Sequence, residues 1–383
     1  LNTIRLVLLW LAGLSAAIAE EPALIVGAVI SQTGAHADLA AEYAKGIELW
    51  RDEVNASGGL LGKQVELRLL DDASHAARAA PLYARLIREE NADLLISPYG
   101  SAATLLAAAE AERARRVMVN AAGQAPSIHS RAPRYLFQST PPYSSYGEGI
   151  LQVAAEAGYH RLFILARDDG ASLEMAEATL SAARTQKKFE PGGVEVYRPG
   201  TVDFGPQVAR ARAAQAEAWI AFGDARDAAE MVKTFKRFNY APQLFFARGA
   251  SQPRFIELVG QDAEFALGAV DFDPRIGEGA HAFARAFAAK WGATPGLPAA
   301  QGYTAGVVLT AAVRNAGSLD QEKLRSALAL AEVPTPLGPY KVSAKNGAQV
   351  GAKPLVVQIR KGRPEAENPL LPYPQWNERA PIQ

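Results

Sequence analysis

Few residues of this 383-residue chain could do chemistry, and most combinations of them fail on spacing. Gly58-Gly59-Leu60-Leu61-Gly62-Lys63 carries the glycines and the lysine of a phosphate-binding loop. Such a loop needs four residues between its outer glycines and a Ser or Thr after the lysine, on a strand-to-helix turn whose amides face the phosphates. Here three residues separate Gly58 from Gly62, Gln64 follows Lys63, and a helix pattern precedes a strand pattern. The stretch reads as a glycine turn. The five histidines, His36, His75, His129, His160 and His281, show no metal-ligand spacing, and no Gly-x-Ser-x-Gly elbow seats a nucleophile. A cysteine count of zero excludes disulfides, thiol catalysis and cysteine metal sites together. The pair Asp71-Asp72 stands at the predicted carboxyl end of a strand, where α/β proteins place ligands. With no second acidic cluster or partner lysine at a matching strand end, it reads as helix capping and loop hydrogen bonding.

Two other strand ends suit an anion. Ser97-Pro98-Tyr99-Gly100-Ser101-Ala102 passes from a strand straight into a helix, and Asn120-Ala121-Ala122-Gly123-Gln124-Ala125 leaves the next strand in small residues. A helix N-terminus with a hydroxyl at its cap offers free amides and a favourable dipole to a carboxylate, and small residues nearby let more amides approach. An ordinary Ser N-cap would give the same sequence.

The elements that must position these loops alternate. Ala23 to Ile30 reads as a strand, Leu39 to Val54 as a helix, Val65 to Leu70 as a strand, Ala76 to Glu89 as a helix and Ala92 to Ser97 as a strand, with Ala102 to Arg115 and Val117 to Asn120 continuing. After Ser139-Thr140-Pro141-Pro142 the rhythm restarts, with strands at Arg161 to Ala166, Val194 to Tyr197, Ala218 to Phe222 and Gln243 to Phe246. Such alternation argues for parallel sheets covered on both faces, in two α/β units of similar size. The later helices, His281 to Trp291, Ala299 to Ala316 and Gln321 to Leu330, have too few strands among them for a third sheet and are expected to return to the first.

Forty Lys and Arg balance forty Asp and Glu, so no overall field draws the chain to nucleic acid or an anionic membrane. Arg5, the apolar run Leu6 to Leu14 and Ala17-Ile18-Ala19 read as a secretory signal peptide over residues 1–19, cleaved before Glu20. No cysteine follows the apolar run, so a free periplasmic protein without a lipid anchor is expected. Prolines 364, 369, 372, 374 and 381 predict an extended, surface-wrapping tail over residues 364–383.

In order and spacing, Gly27 to Gly34, the turn Asn55 to Gly62, Leu69-Leu70-Asp71-Asp72, Ala121-Ala122, Gly302-Tyr303-Thr304-Ala305 and Asn315-Ala316-Gly317-Ser318-Leu319-Asp320 resemble the type I periplasmic solute-binding proteins of ABC transporters. The likeness is to the leucine/isoleucine/valine-binding group and covers nearly the whole mature chain. It implies an α/β, type I periplasmic binding protein fold: two Rossmann-like lobes, each with a parallel-sheet core, joined by a three-strand hinge and closing on ligand by hinge bending. The lobes would be residues 20–139 with 273–338 and residues 140–272 with 339–363, with crossovers near Gln138 to Pro142, Val270 to Pro274 and Leu337 to Val342. In that family the glycine turn is a structural connector.

The resemblance also implies a site. Ser101 matches the serine that holds the ligand carboxylate, beside Tyr99, and Ala121, Ala122 and Gly123 match the segment whose amides assist it. Gly123 stands where the family often has Thr, so an amide remains and a hydroxyl is lost. Ala171 and Leu39 stand where aromatics cover the ligand, and Arg248 falls near the acidic residue that receives an ammonium. Asp224 is then the best substitute acid. If Asp224 points elsewhere, Arg248 implies an anionic ligand without an ammonium, such as an aromatic or keto acid. Asp224, Arg248 and Phe272 would sort ligands by charge and ring character. The expected protein is a monomeric, non-enzymatic receptor without cofactor or metal, which hands a small carboxylate, an amino acid above all, to an inner-membrane permease. A ligand sensor for a regulator or chemoreceptor keeps the same fold. An exported α/β enzyme lacks a visible nucleophile, metal cluster or cofactor loop.

Overall fold

A computed structural model describes residues 22–366 and Tyr373. The signal segment and most of the proline-rich tail therefore lie outside the described residues. In chain order the first unit comprises β1 (Leu24–Ile30), α1 (Ala37–Ala56), β2 (Val65–Asp71), α2 (Ala79–Arg88), β3 (Leu94–Ile96), α3 (Ser101–Ala114), β4 (Met118–Asn120) and β5 (Leu136–Gln138). The second comprises α4 (Tyr146–Glu156), β6 (Arg161–Arg167), α5 (Gly170–Gln186), β7 (Glu190–Tyr197), α6 (Gly205–Ala213), β8 (Ala218–Phe222), α7 (Ala225–Arg237), β9 (Leu244–Ala247), α8 (Pro253–Val259) and β10 (Leu267–Val270). There follow α9 (Glu278–Trp291), α10 (Leu297–Ala316), α11 (Gln321–Leu330), β11 (Val333–Thr335), β12 (Gly338–Tyr340), β13 (Leu355–Arg360) and β14 (Arg363–Glu365).

The first sheet has the order β2-β1-β3-β4-β5 and is parallel throughout. The second runs β14-β13-β10-β9-β8-β6-β7, parallel from β10 to β7, with β13 and β14 added antiparallel at one edge. Strands such as β8, Ala-Trp-Ile-Ala-Phe, are buried along their whole length because helices cover both faces of the sheet. The fold is that of two lobes, each with a parallel-sheet core.

The late helices return to the first sheet, where Ala305, Val308, Leu309 and Ala312 of α10 and Leu324 and Leu328 of α11 share a core with Val26, Ala28, Ile47 and Trp50. Two glycines explain the Gly302-Tyr303-Thr304-Ala305 marker. A Cβ at Gly302 would stand 2.2 Å from the Tyr43 carbonyl oxygen, and one at Gly306 would stand 2.0 Å from the Trp50 indole, so only glycine lets α10 lie this close to α1. The connector from α1 to β2 is likewise structural. Gly58, Gly59 and Gly62 adopt φ of 91°, 81° and 78°, and the Asn55 side chain brackets the start of β2 by accepting from Val65 N at 2.7 Å and donating to its carbonyl at 2.9 Å.

The chain leaves the first sheet after β5 and returns to its core after β10. The third passage differs. Val342 still lies in the first core, the Gly347 carbonyl accepts from Gln138 N at 2.8 Å, and Gln349 Nε2 donates to the Ser139 carbonyl at 3.3 Å. The chain therefore stays beside β5 until about Gln349 and reaches β13 through residues 351–354, because a β-bridge between Val342 and Gln349 folds the intervening loop back on the first lobe.

Candidate functional site

Gly100 takes φ 91°, ψ 150°, which turns the chain abruptly from β3 into α3 and makes Ser101 the first helical residue and not the N-cap. Its Oγ accepts from the Gln124 and Ala125 amides, both at 3.2 Å, and so ties the loop after β3 to the loop after β4. The hydroxyl proton remains to be donated. Among the described residues no acceptor meets the amides of Ser101, Ala102 and Ala103 or that of Ala122.

The other two amides of the small-residue loop are spent internally. Ala121 N donates to Ser97 Oγ at 3.1 Å, and Gly123 N donates to Asn120 Oδ1 at 2.9 Å while Asn120 Nδ2 donates back to the Gly123 carbonyl at 2.8 Å. Gly123 thus braces the loop, and a Cβ there would stand 2.7 Å from Ile128 Cδ1 and 2.8 Å from Asn120 Oδ1. The missing hydroxyl has no space to occupy. Of the three small residues, Ala122 alone keeps a free amide.

From Ser101 the site continues across the lobes. Tyr99 lies 5.9 Å from Tyr43, ring to ring, and burial with the nearby Tyr143 and Glu42 pushes its hydroxyl up to about 12. Gln124 Nε2 donates to the Pro141 carbonyl at 2.9 Å and to Asp271 Oδ2 at 2.8 Å, and Tyr143 N donates to the Gln124 carbonyl at 2.8 Å. Tyr146 also donates its hydroxyl to Asp271 Oδ2. Asp271, directly after β10, is 6% exposed, and its Oδ1 has no hydrogen-bond partner. Burial pushes its carboxyl above the usual range, against the bonds from Tyr146 and Gln124 and the charge of Arg248.

Arg248 follows the last residue of β9 and lies over the Tyr146 ring, 5.5 Å from its centroid. Burial opposes its charge, but Tyr146, Asp271 and Tyr143 more than offset this and hold the guanidinium protonated. No described carboxylate lies within ion-pair distance of it.

Asp224 does not fill the role of a free acid. It is the N-cap of α7, with Oδ1 accepting from Arg226 N at 2.8 Å and Asp227 N at 3.1 Å, in a capping box completed by Asp227. Its Oδ2 is paired with Arg167 Nη1 at 2.5 Å, so both oxygens are engaged. Phe272 points its ring at Phe283, 5.8 Å away, within the cluster formed by α1, α9 and α10. Ala171, in the first turn of α5, packs beside Tyr143 on the second core, and Leu39 is 45% exposed at the start of α1. The structure therefore groups Tyr99, Ser101, Ala122 and Arg248 with Gln124, Tyr143, Tyr146 and Asp271, which sequence reasoning passed over. Their signal was position, since all four lie in or beside segments already marked as a small-residue loop or a crossover.

A family model described as periplasmic binding protein matches residues 24–364. The chain belongs to the periplasmic binding protein family. Its fold is similar to that of a putative branched-chain amino acid ABC transporter from Rhodospirillum rubrum (TM-score 0.80, 20% identity, 90% of this chain and 100% of that one). It is similar to the substrate binding protein LivJ of Streptococcus pneumoniae in complex with isoleucine (0.69, 22%, 90% and 98%). It is also similar to an R. palustris solute binding protein in complex with benzoate (0.68, 21%, 92% and 97%). An amino acid binding protein of Pseudomonas aeruginosa is 24% identical over 115 residues, a stretch covering 30% of this chain and 31% of that relative. Among the described residues, no helix of this family member is long and apolar enough to cross a membrane.

Proposed function

We propose that this protein is the periplasmic, non-enzymatic solute receptor of an ABC importer, holding a small carboxylate-bearing solute between its lobes and handing it as a monomer to an inner-membrane permease. The lobes are taken as residues 20–139 with 273–349 and residues 140–272 with 355–363, closing about their three connections. The observation that carries the reading is the Ser101 hydroxyl, free to donate, beside the unpaired amides of Ala122 and of the first turn of α3. A carboxylate replaces there the water that these donors would otherwise need.

Of the two ligand classes open to such a receptor, an acid without an ammonium is favoured. Asp224 is engaged through both oxygens, and the charged group facing the far end is Arg248. Tyr99 and Tyr143, both half-buried, offer aromatic surface beside it, which suits a ring or an extended keto acid. The related structures hold isoleucine in one case and benzoate in another, so the fold serves both classes. Mass spectrometry of the small molecules that co-purify, followed by a thermal-shift panel of amino, keto and aromatic acids, tests the reading. A ligand at a hundred times its dissociation constant stabilises by about 2.7 kcal/mol. A panel in which amino acids alone shift the melting temperature would overturn the choice of class.

A further inference from the structure

Resting on the reading of Ser101 as a carboxylate site, the second lobe carries an observation that a monocarboxylate leaves unexplained. The two strand-end arginines of that lobe differ in company. Arg167, at the end of β6, is held by Asp169 and Asp224, both at 2.5 Å, with Asp227 at 3.6 Å. Arg248, directly after β9, is the more enclosed of the two, yet its side chain meets only the ring and hydroxyl of Tyr146, with the Asp271 charge farther off and no described carboxylate in ion-pair reach. A half-buried guanidinium that lacks a carboxylate in contact keeps donors that a ligand carboxylate can fill.

Asp271 does not complete Arg248 by contact. Its Oδ2 is occupied by Gln124 and Tyr146, its Oδ1 is buried with no partner, and Tyr146 stands between the two side chains. Gln124 links both ends of the cleft. Its backbone amide bonds Ser101 Oγ, and its side chain reaches Asp271 and approaches the Tyr146 hydroxyl at 3.5 Å. One glutamine side chain and one tyrosine ring thus link the two anion-seeking ends.

We propose that Arg248 is a second anion-binding group and that the cleft takes a small dicarboxylate, one carboxylate at Ser101 and the first turn of α3, the other at the Arg248 guanidinium. The fork geometry of arginine suits the planar, two-oxygen face of a carboxylate. The half-buried Tyr99 and Tyr143 offer aromatic surface that accepts a ring or a short chain.

Isothermal titration and thermal shift on the ligand-free protein decide this with matched pairs, benzoate against the three benzenedicarboxylates and butanoate against succinate and adipate. The dicarboxylate of fitting length is expected to bind at least tenfold more tightly than its monocarboxylate partner. Arg248→Met is expected to remove ten- to a hundredfold of the dicarboxylate affinity and with it the preference over the matched monocarboxylate. Arg248→Lys retains part of the preference and guards against a loss that comes only from misfolding. Monocarboxylates that bind as well as the dicarboxylates, or an Arg248→Met variant that weakens both alike, would overturn the inference and leave the Ser101 site standing. No binding of any carboxylate would overturn the site and the inference together.

Discussion

At Gly123 the backbone has no room for a side chain, since a Cβ would also meet Thr104 Cβ at 3.0 Å. The loss of a hydroxyl at this position, legible in the sequence, is thus a packing constraint of the loop and not a relaxed contact to ligand. Gly123→Thr is expected to destabilise the fold by about 1–3 kcal/mol through overpacking, measured as a lower thermal midpoint of the ligand-free protein. An unchanged midpoint would mean that the loop can open without cost. Ser101 was legible because a hydroxyl at a strand-to-helix turn has a stated chemistry. Which neighbouring amides stay free was not, because that depends on where the Asn120 and Ser97 side chains turn.

For the elements, the carboxyl ends of the strands decide what each polar group does. Asp224 looked like an acid at a strand end, but the next residues start α7, and the helix takes the carboxylate for its own amides. Asp224→Ala is expected to cost about 0.5–2 kcal/mol of stability as a lost N-cap, while ligand affinity by titration changes less than twofold. An affinity loss of tenfold or more would return Asp224 to the site. Asp271 follows β10 in the same way but is buried and bonded by Gln124 and Tyr146, facing Tyr143 and Arg248 from their own elements. Its folded pKa is raised, so its contribution to stability is full below the unfolded carboxylate range and is lost as pH rises through the raised value. The difference in thermal midpoint between wild type and Asp271→Asn should therefore shift against the wild type as pH rises from acid to neutral, and a pH-independent difference would contradict this. Periodicity made the alternating strands and helices of both lobes visible. It missed β5 and every strand from β10 onward, most of them runs of three or four residues whose strand character comes from pairing and not from a periodic pattern.

Taken as a whole molecule, a parallel sheet and a mixed sheet with a parallel core are joined by the chain's passages between them, and the glycine contacts between α1 and α10 let the chain return to its first core after building the second. Three passages were implied by the resemblance. The place of the third was not legible, because residues 342–349 are held to β5 by hydrogen bonds between loops that carry no periodic pattern. Binding between the lobes should draw them together, so small-angle scattering is expected to give a smaller radius of gyration with ligand than without, and an equal radius in both states would contradict a hinged receptor. The most direct test is isothermal titration of wild type and Ser101→Ala with the co-purifying ligand. A loss of about ten- to a hundredfold in affinity, equivalent to roughly 1.5–3 kcal/mol for a hydrogen bond to a charged group, is the predicted result. Equal affinity of the two proteins would contradict a carboxylate held at Ser101.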